Sequence, residues 1–238
     1  MYIDDNIDIV DALGGHSSRR ELWTTFLNLQ RTRIMAEIGV WKGDFATDML
    51  TDAPLIEVYY MIDPWAHLPD WNKPFNVSSQ IFDEIYQEMD RKTVFAKHKR
   101  QILKGRTKEV VAAIQDESLD FAYVDGDHTL RGITIDLIKI WPKIRLGGFI
   151  GGDDFITSPW QHSRRFEPTL VFPFSVYFAE AMDAPIVALE HNQFLIQKTG
   201  KAQFSFQDPT GLYKDLSLNK LHPFLSLINK LGKKIWRM

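Results

Sequence analysis

Short apolar runs alternate with helix-period segments along most of the chain. Arg33-Ile-Met-Ala-Glu-Ile38, Glu57-Val-Tyr-Tyr-Met-Ile62, Gln101-Ile-Leu-Lys104, Leu119-Asp-Phe-Ala-Tyr-Val124 and Gly147-Gly-Phe-Ile-Gly-Gly152 each read as a buried strand. Between them the spacing predicts helices over 45–50, 79–97, 108–114 and 130–141. Ile81, Ile85 and Met89 share one stripe, and Ile133, Leu137 and Ile140 another. Ser18-Arg-Arg-Glu21 reads as a capping box, Ser18 accepting from the third helical amide and Glu21 reaching back. The helix it opens places Leu22, Phe26 and Leu29 together, while residues 1–17 show no period and read as a loose lead-in.

Such repetition predicts a mainly parallel sheet with helices on both faces. The rhythm breaks late. Pro185-Ile-Val-Ala-Leu-Glu190 and Gln193-Phe-Leu-Ile-Gln197 are separated only by His191-Asn192, a connection too short for anything but antiparallel strands. The expected fold is therefore α/β, Rossmann-like, with a seven-stranded, mostly parallel sheet that ends in an antiparallel hairpin.

Composition narrows the chemistry. The 238 residues are 45% hydrophobic and 25% charged, ordinary for a globular protein. Cysteine is absent, which excludes a disulfide framework, a cysteine zinc site, an iron–sulfur cluster and a thiol nucleophile. A net charge of −3 offers no basic field, so nucleic acid is not an expected partner. No run approaches the roughly 18 apolar residues of a membrane span. The acidic start Met1-Tyr-Ile-Asp-Asp lacks the pattern of a signal peptide, and the expected compartment is the cytoplasm.

Glu37-Ile-Gly-Val-Trp-Lys-Gly43 joins the first strand to a helix. Its Gly-x-x-x-Gly spacing lacks the pyrophosphate-cradling Gly-x-Gly-x-x-Gly, which disfavours a dinucleotide. A carboxylate at Glu37 suits a cationic group. Asp63, closing the second strand, suits the two hydroxyls of a ribose. Together they suggest a nucleoside carrying an amine or a sulfonium.

These residues resemble the class I S-adenosylmethionine-dependent methyltransferases, over about Arg33 to Gly200. The resemblance implies that Glu37, Gly39 and Gly43 hold the methionine part of S-adenosylmethionine and that Asp63 holds its ribose. It also places Gly105 and Arg106 near adenine, although arginine is unusual there, and Trp65 is either an adenine-stacking residue or a rim or core tryptophan. The domains then read as 1–30, lead-in and capping helix; 31–200, the S-adenosylmethionine-binding methyltransferase domain; and 201–238, a basic amphipathic extension.

Asp125, Asp127, Asp153 and Asp154 close the fourth and fifth strands. Asp125 and Asp127 alternate with Gly126 and so point to one side in extended chain. Crowded carboxylates repel unless protonated or bridged by a cation, and all-oxygen ligands favour Mg²⁺, Mn²⁺ or Ca²⁺. The spacing resembles the metal-dependent O-methyltransferases of the catechol and antibiotic deoxysugar types, with Asp-Asp at the second site as in the sugar type. That resemblance implies Asp125, Asp153 and Asp154 as metal ligands and Asp127 as general base. His128 stands near the catechol type's lysine base and competes for that role. Asp125 also borders the expected cofactor.

The expected function is methyl transfer from S-adenosylmethionine to a hydroxyl of a small molecule, a sugar or vicinal diol, with a divalent metal. Alternatives are a metal-independent O- or N-methyltransferase and a non-catalytic S-adenosylmethionine-binding protein. Residues 160–166, with His162, Arg164 and Arg165, form a candidate lid, and residues 66–78 a candidate wall. Leu221 to Met238 is basic and amphipathic; it suits a membrane surface, its own domain, or a second copy in a homo-oligomer.

Overall fold

The computed structural model describes residues 8–201 and 204–213. The lead-in before Asp8 and the basic segment from Leu221 lie outside the described residues. In chain order the elements are α1 (Ile9–Ala12), α2 (Arg19–Leu29), β1 (Ile34–Ile38), α3 (Asp44–Asp52), β2 (Val58–Asp63), α4 (Ser79–Thr93), β3 (Arg100–Lys104), α5 (Thr107–Val110), β4 (Leu119–Val124), α6 (Leu130–Ile140), β5 (Ile144–Gly152), α7 (Val171–Ala181), β6 (Pro185–Leu189), β7 (Gln193–Gln197) and β8 (Ser205–Gln207).

The eight strands of the described residues form one sheet in the order β3-β2-β1-β4-β5-β7-β6-β8. Strands β1 to β5 run parallel, β7 is antiparallel to both β5 and β6, and β8 adds a parallel partner to β6. The hairpin turns at His191 and Asn192, both with φ near +59° and +58°, the left-handed pair that a two-residue turn demands. The sequence reading of seven strands thus gains an eighth, short one.

Two cores flank the sheet. One side packs α2, α3 and α4 through Trp23, Phe26, Phe45, Met49, Phe82 and Met89. The other packs α6 and α7 through Ile133, Leu137, Ile140, Phe172 and Phe178. Three details depart from the sequence reading. Helix α2 buries Leu22, Trp23, Phe26 and Leu27, leaving Leu29 at the surface, so this helix is a layer of the sheet domain. In α4 Phe82 takes the core position and Ile81 is 43% exposed. The capping box is half formed: Ser18 accepts from the Glu21 amide, but Glu21 accepts from Ser17, one residue further out. Among the described residues no helix is long and apolar enough to cross a membrane.

Candidate active site

The parallel strands end in a hydrogen-bonded terrace. Gly39 N–H donates to Ile62, Asp125 N–H to Ile38, Asp153 N–H to Val124 and Gly105 N–H to Asp63, at 2.9, 2.8, 3.1 and 3.0 Å. Continuing the strand registers by one step sets Asp63, Gly39, Asp125 and Asp153 in a row across the sheet's C-terminal edge. Ligands of open α/β sheets bind there. A cavity of about 350 Å³ opens over it, lined among others by Gly39, Asp63, Gly105, Arg106, Asp125 and Asp127.

At Gly39 φ is +88°, and a Cβ would overlap the Asp125 carbonyl. Gly43, at φ +75°, caps α3 and packs against Met89. Asp63 spends Oδ2 on the Trp41 amide (3.0 Å) and Oδ1 on the Trp65 amide (2.7 Å), with burial raising its pKa against these bonds. Trp65 is 1% exposed and turned into the core, its Nε1–H donating to the Trp41 carbonyl; of the two tryptophans, Trp41 lines the cavity. Arg106 lines it too, held by a forked pair to Asp70 at 2.6 and 3.2 Å.

Glu37 is not a cavity wall. It is 1% exposed on the α2–α3 side, accepting from the Tyr59 hydroxyl at 2.6 Å. Burial pushes its pKa up to about 8, with the Tyr59 bond opposing. A proton is therefore bound in the folded state between the ordinary carboxylate range and about pH 8, and stability falls as pH rises through that window. Glu37→Gln keeps an acceptor for Tyr59 without the titration. Its melting temperature should match the wild type near pH 5 and exceed it above pH 8; a constant offset across that range in differential scanning fluorimetry would refute the assignment.

The four aspartates part ways. Asp153 meets Arg19 of α2 in an ion pair, accepts from Gln193 Nε2 at 2.6 Å and from the Asp154 amide. Burial first, then Asp125, raises it to about 6 against Arg19. Gln193 is itself fixed by Trp23 and Tyr123, both donating to its Oε1 at 2.8 Å. Arg19 also reaches Asp125 at 3.3 Å, and although burial works against its charge, Tyr123, Asp153 and Asp125 keep it firmly protonated.

Asp154 has φ +55°, which turns it away from Asp153 toward His128. His128 Nδ1 pairs with Asp154, and Nε2 lies 3.2 Å from Asp125 Oδ1. That Nε2 is buried and lacks a hydrogen-bond partner, because the contact is poorly aligned. Burial opposes a charge on the ring, yet Asp125 and Asp154 raise His128 to about 10. Asp125, His128 and Asp154 offer ligand atoms within 4.8 Å of one another, a grouping that does not include Asp153. Asp127 accepts at Oδ1 from Trp71 Nε1 (2.9 Å) and the Thr129 amide (3.0 Å).

The wall at 66–78 and the lid are stitched together. Asn72 donates to the Arg165 carbonyl at 2.9 Å, and Gln161 to Asp154 at 2.7 Å. Of the lid residues singled out, His162 lines the cavity, edge-on to Phe75, whereas Arg164 stacks over Trp160 and Arg165 over Phe166. Sequence reasoning gave no site role to Arg19, Lys73 or Gln193, and it placed Trp71 only in the wall and Gln161 only within the lid; the capping and strand patterns around Arg19 and Gln193 do not announce what their side chains reach. It also missed Asp136, a buried cavity-lining carboxyl that burial raises to about 7.

A family model described as a methyltransferase domain matches residues 36–155. The chain belongs to this methyltransferase family. The matched span runs from β1 to just beyond Asp153 and Asp154, so it contains the whole terrace. No curated protein matches. Solved structures share the fold at low identity. A proposed caffeoyl-CoA O-methyltransferase from Staphylococcus aureus aligns with TM-score 0.57 and 12% identity, over 80% of this chain and 88% of that one. The O-methyltransferase TomG from Streptomyces achromogenes, solved with S-adenosylmethionine, gives 0.54 and 14% over 79% and 82%. An O-methyltransferase from Bacillus cereus, solved with S-adenosylhomocysteine, gives 0.53 and 12% over 79% and 83%. The methyltransferase is thus an α/β Rossmann-like protein of the class I, S-adenosylmethionine-dependent superfamily.

Proposed function

We propose that this methyltransferase transfers the methyl group of S-adenosylmethionine to a hydroxyl of a small molecule, a sugar or another vicinal diol. The observation that carries the reading is the shared cavity: the Gly39–Asp63–Asp125 row and the Asp127–His128 pair open into one space. Gly39 lets the ends of β1 and β4 close on each other, which sets Asp63 and Asp125 together at the cavity. Asp63, though it holds two amides, keeps lone pairs for ribose hydroxyls. Gly43 shapes the turn, Glu37 supports it from the buried side, and Gly105 and Arg106 border the adenine end. The donor supplies an electrophilic methyl on a sulfonium. Asp125 flanks that positive group, Asp127 removes the proton from the attacking hydroxyl, and the lid and wall exclude water.

A divalent ion fits beside them. His128 Nε2 is a buried nitrogen without a hydrogen-bond partner among the described residues, beside Asp125, while Asp154 meets the other ring nitrogen, and the three residues offer ligand atoms within 4.8 Å of one another. Asp125, His128 and Asp154 would hold the ion, which would lower the pKa of a bound hydroxyl. One imidazole with two carboxylates suits Mn²⁺ at least as well as Mg²⁺ or Ca²⁺. Asp153, engaged by Arg19 and Gln193, stands behind this set.

A second reading is metal-independent transfer. It is favoured by the charges: Arg19, His128 and Lys73 already face the acid cluster, so its repulsion does not call for an ion. The two readings require opposite states of His128, neutral as a ligand and protonated as a bridge. Calorimetric titration of Mn²⁺ in two buffers of different ionisation enthalpy separates them. The metal reading expects binding with about one proton released per ion, and loss of S-adenosylhomocysteine formation in EDTA. Full turnover in EDTA removes the ion. Binding of S-adenosylhomocysteine without turnover on any diol would leave a non-catalytic binding protein.

A further inference from the structure

Lys73 is a buried ammonium with too few partners. Its side chain lies within the wall segment, 6% exposed, and it lines the cavity. One donor reaches the Thr169 hydroxyl at 3.3 Å. Its acidic neighbours Asp127, Asp154 and Glu167 pull on its charge from a distance, but none forms an ion pair with it among the described residues. An ammonium carries three donors. Two have no partner among the described residues, and they stand at a wall of the cavity where a ligand oxygen would meet them.

The segment around it is rigid. Asn76 accepts from the Leu68 amide at 3.0 Å and donates to the Leu68 and Trp71 carbonyls at 2.7 Å. Asn72 and Glu167 exchange backbone and side-chain bonds across to the lid, both 3.1 Å. Thr169 in turn donates to Gln161, which holds Asp154. Alternate residues Trp71, Lys73 and Phe75 all line the cavity, and Trp71 holds Asp127. The ammonium is therefore fixed beside two flat apolar walls and the carboxylate assigned to proton removal.

We propose that Lys73 is a specificity-determining residue that binds an anionic oxygen of the acceptor, so that this enzyme takes a hydroxylated acid rather than a neutral diol. The inference rests on the methyl-transfer reading above and narrows its acceptor class. A carboxylate next to the reacting diol would fill the open donors of Lys73 while a ring lies between Trp71 and Phe75.

Two probes differing in that one charge test it: 3,4-dihydroxybenzoate and 3,4-dihydroxybenzyl alcohol, titrated calorimetrically into the full chain saturated with S-adenosylhomocysteine. The benzoate should bind about 10–100-fold more tightly, the worth of a charge-assisted hydrogen bond. Lys73→Gln should erase that preference and Lys73→Arg should restore most of it, with S-adenosylhomocysteine affinity within about twofold in both. A role limited to tying wall to lid would weaken both probes alike. Equal binding of the two, binding of neither, or a preference that survives Lys73→Gln overturns the proposal. Failure of the wild type to bind S-adenosylhomocysteine would overturn the donor reading itself, and the inference with it.

Discussion

Asp127→Asn is expected to lower turnover by about 10²–10⁴-fold, the usual worth of a positioned general base, while S-adenosylhomocysteine affinity stays within about twofold. Asparagine keeps the Oδ1 acceptor that Trp71 and the Thr129 amide use, so the loop need not move. Behind it α6 comes so close at Gly132 that even a methyl group there would overlap the Asp127 side chain, which stops the side chain from swinging away. What the substitution removes is the second oxygen, the one free of hydrogen bonds among the described residues. His128 is the rival base. Without an ion Asp125 and Asp154 hold it at about 10, so it carries its proton near neutral pH and accepts none; as a metal ligand its nitrogen is taken by the ion, and again it accepts none. Were it the base, the rate would climb about tenfold per pH unit toward pH 10 and would survive in Asp127→Asn. Single-turnover formation of S-adenosylhomocysteine across pH 6–10 distinguishes the two. Turnover of the variant within about threefold of the wild type would remove Asp127 from the chemistry.

The acids were legible because strands announce their own ends. An apolar run that stops at Asp63, Asp125 or Asp153 marks both the strand and the edge where ligands collect. Their partners were not legible. Arg19 belongs to a helix whose sequence speaks only of capping and core, yet the packing of Trp23 against Gly151 brings that helix over the terrace. Lys73 sits in an aperiodic loop, and its burial depends on bonds between Asn72 and the lid far along the chain. Neighbours in sequence can also mislead. Asp153 and Asp154 read as one pair of ligands, but the left-handed backbone at Asp154 sends one toward Arg19 and the other toward His128. Among the elements, α7 gave no helical period because Val171-Phe-Pro-Phe is apolar throughout, and its helix follows from contact with α6 and the second core. The stripes of α2 and α4 were misplaced by a residue or so, since Leu29 and Ile81 are as apolar as the Leu27 and Phe82 that the core took instead.

Gly39→Ala carries the largest expected structural effect. The residue holds φ +88°, and a Cβ there would overlap the Asp125 carbonyl and lie 2.6 Å from Gly126 Cα. Both neighbours are backbone, so neither yields by a rotamer change. The left-handed conformation costs an alanine about 1–2 kcal/mol, and forcing apart two packed chains adds about 1–3 kcal/mol. For a domain of this size that sum corresponds to a fall of about 5–15 °C in melting temperature. Relief comes only by parting the ends of β1 and β4, where Asp125 N–H meets the Ile38 carbonyl at 2.8 Å. Parting them displaces Asp63 and Asp125 together, so S-adenosylhomocysteine binding should weaken by more than about 100-fold. Gly15→Ala is the matched control: φ is +77° there, but nothing stands within 4 Å of the added carbon. It should show the conformational cost alone and bind as the wild type does. If Gly39→Ala melts and binds like Gly15→Ala, the strand ends have more room than the geometry allows, and the close approach of β1 and β4 does not set the cofactor site.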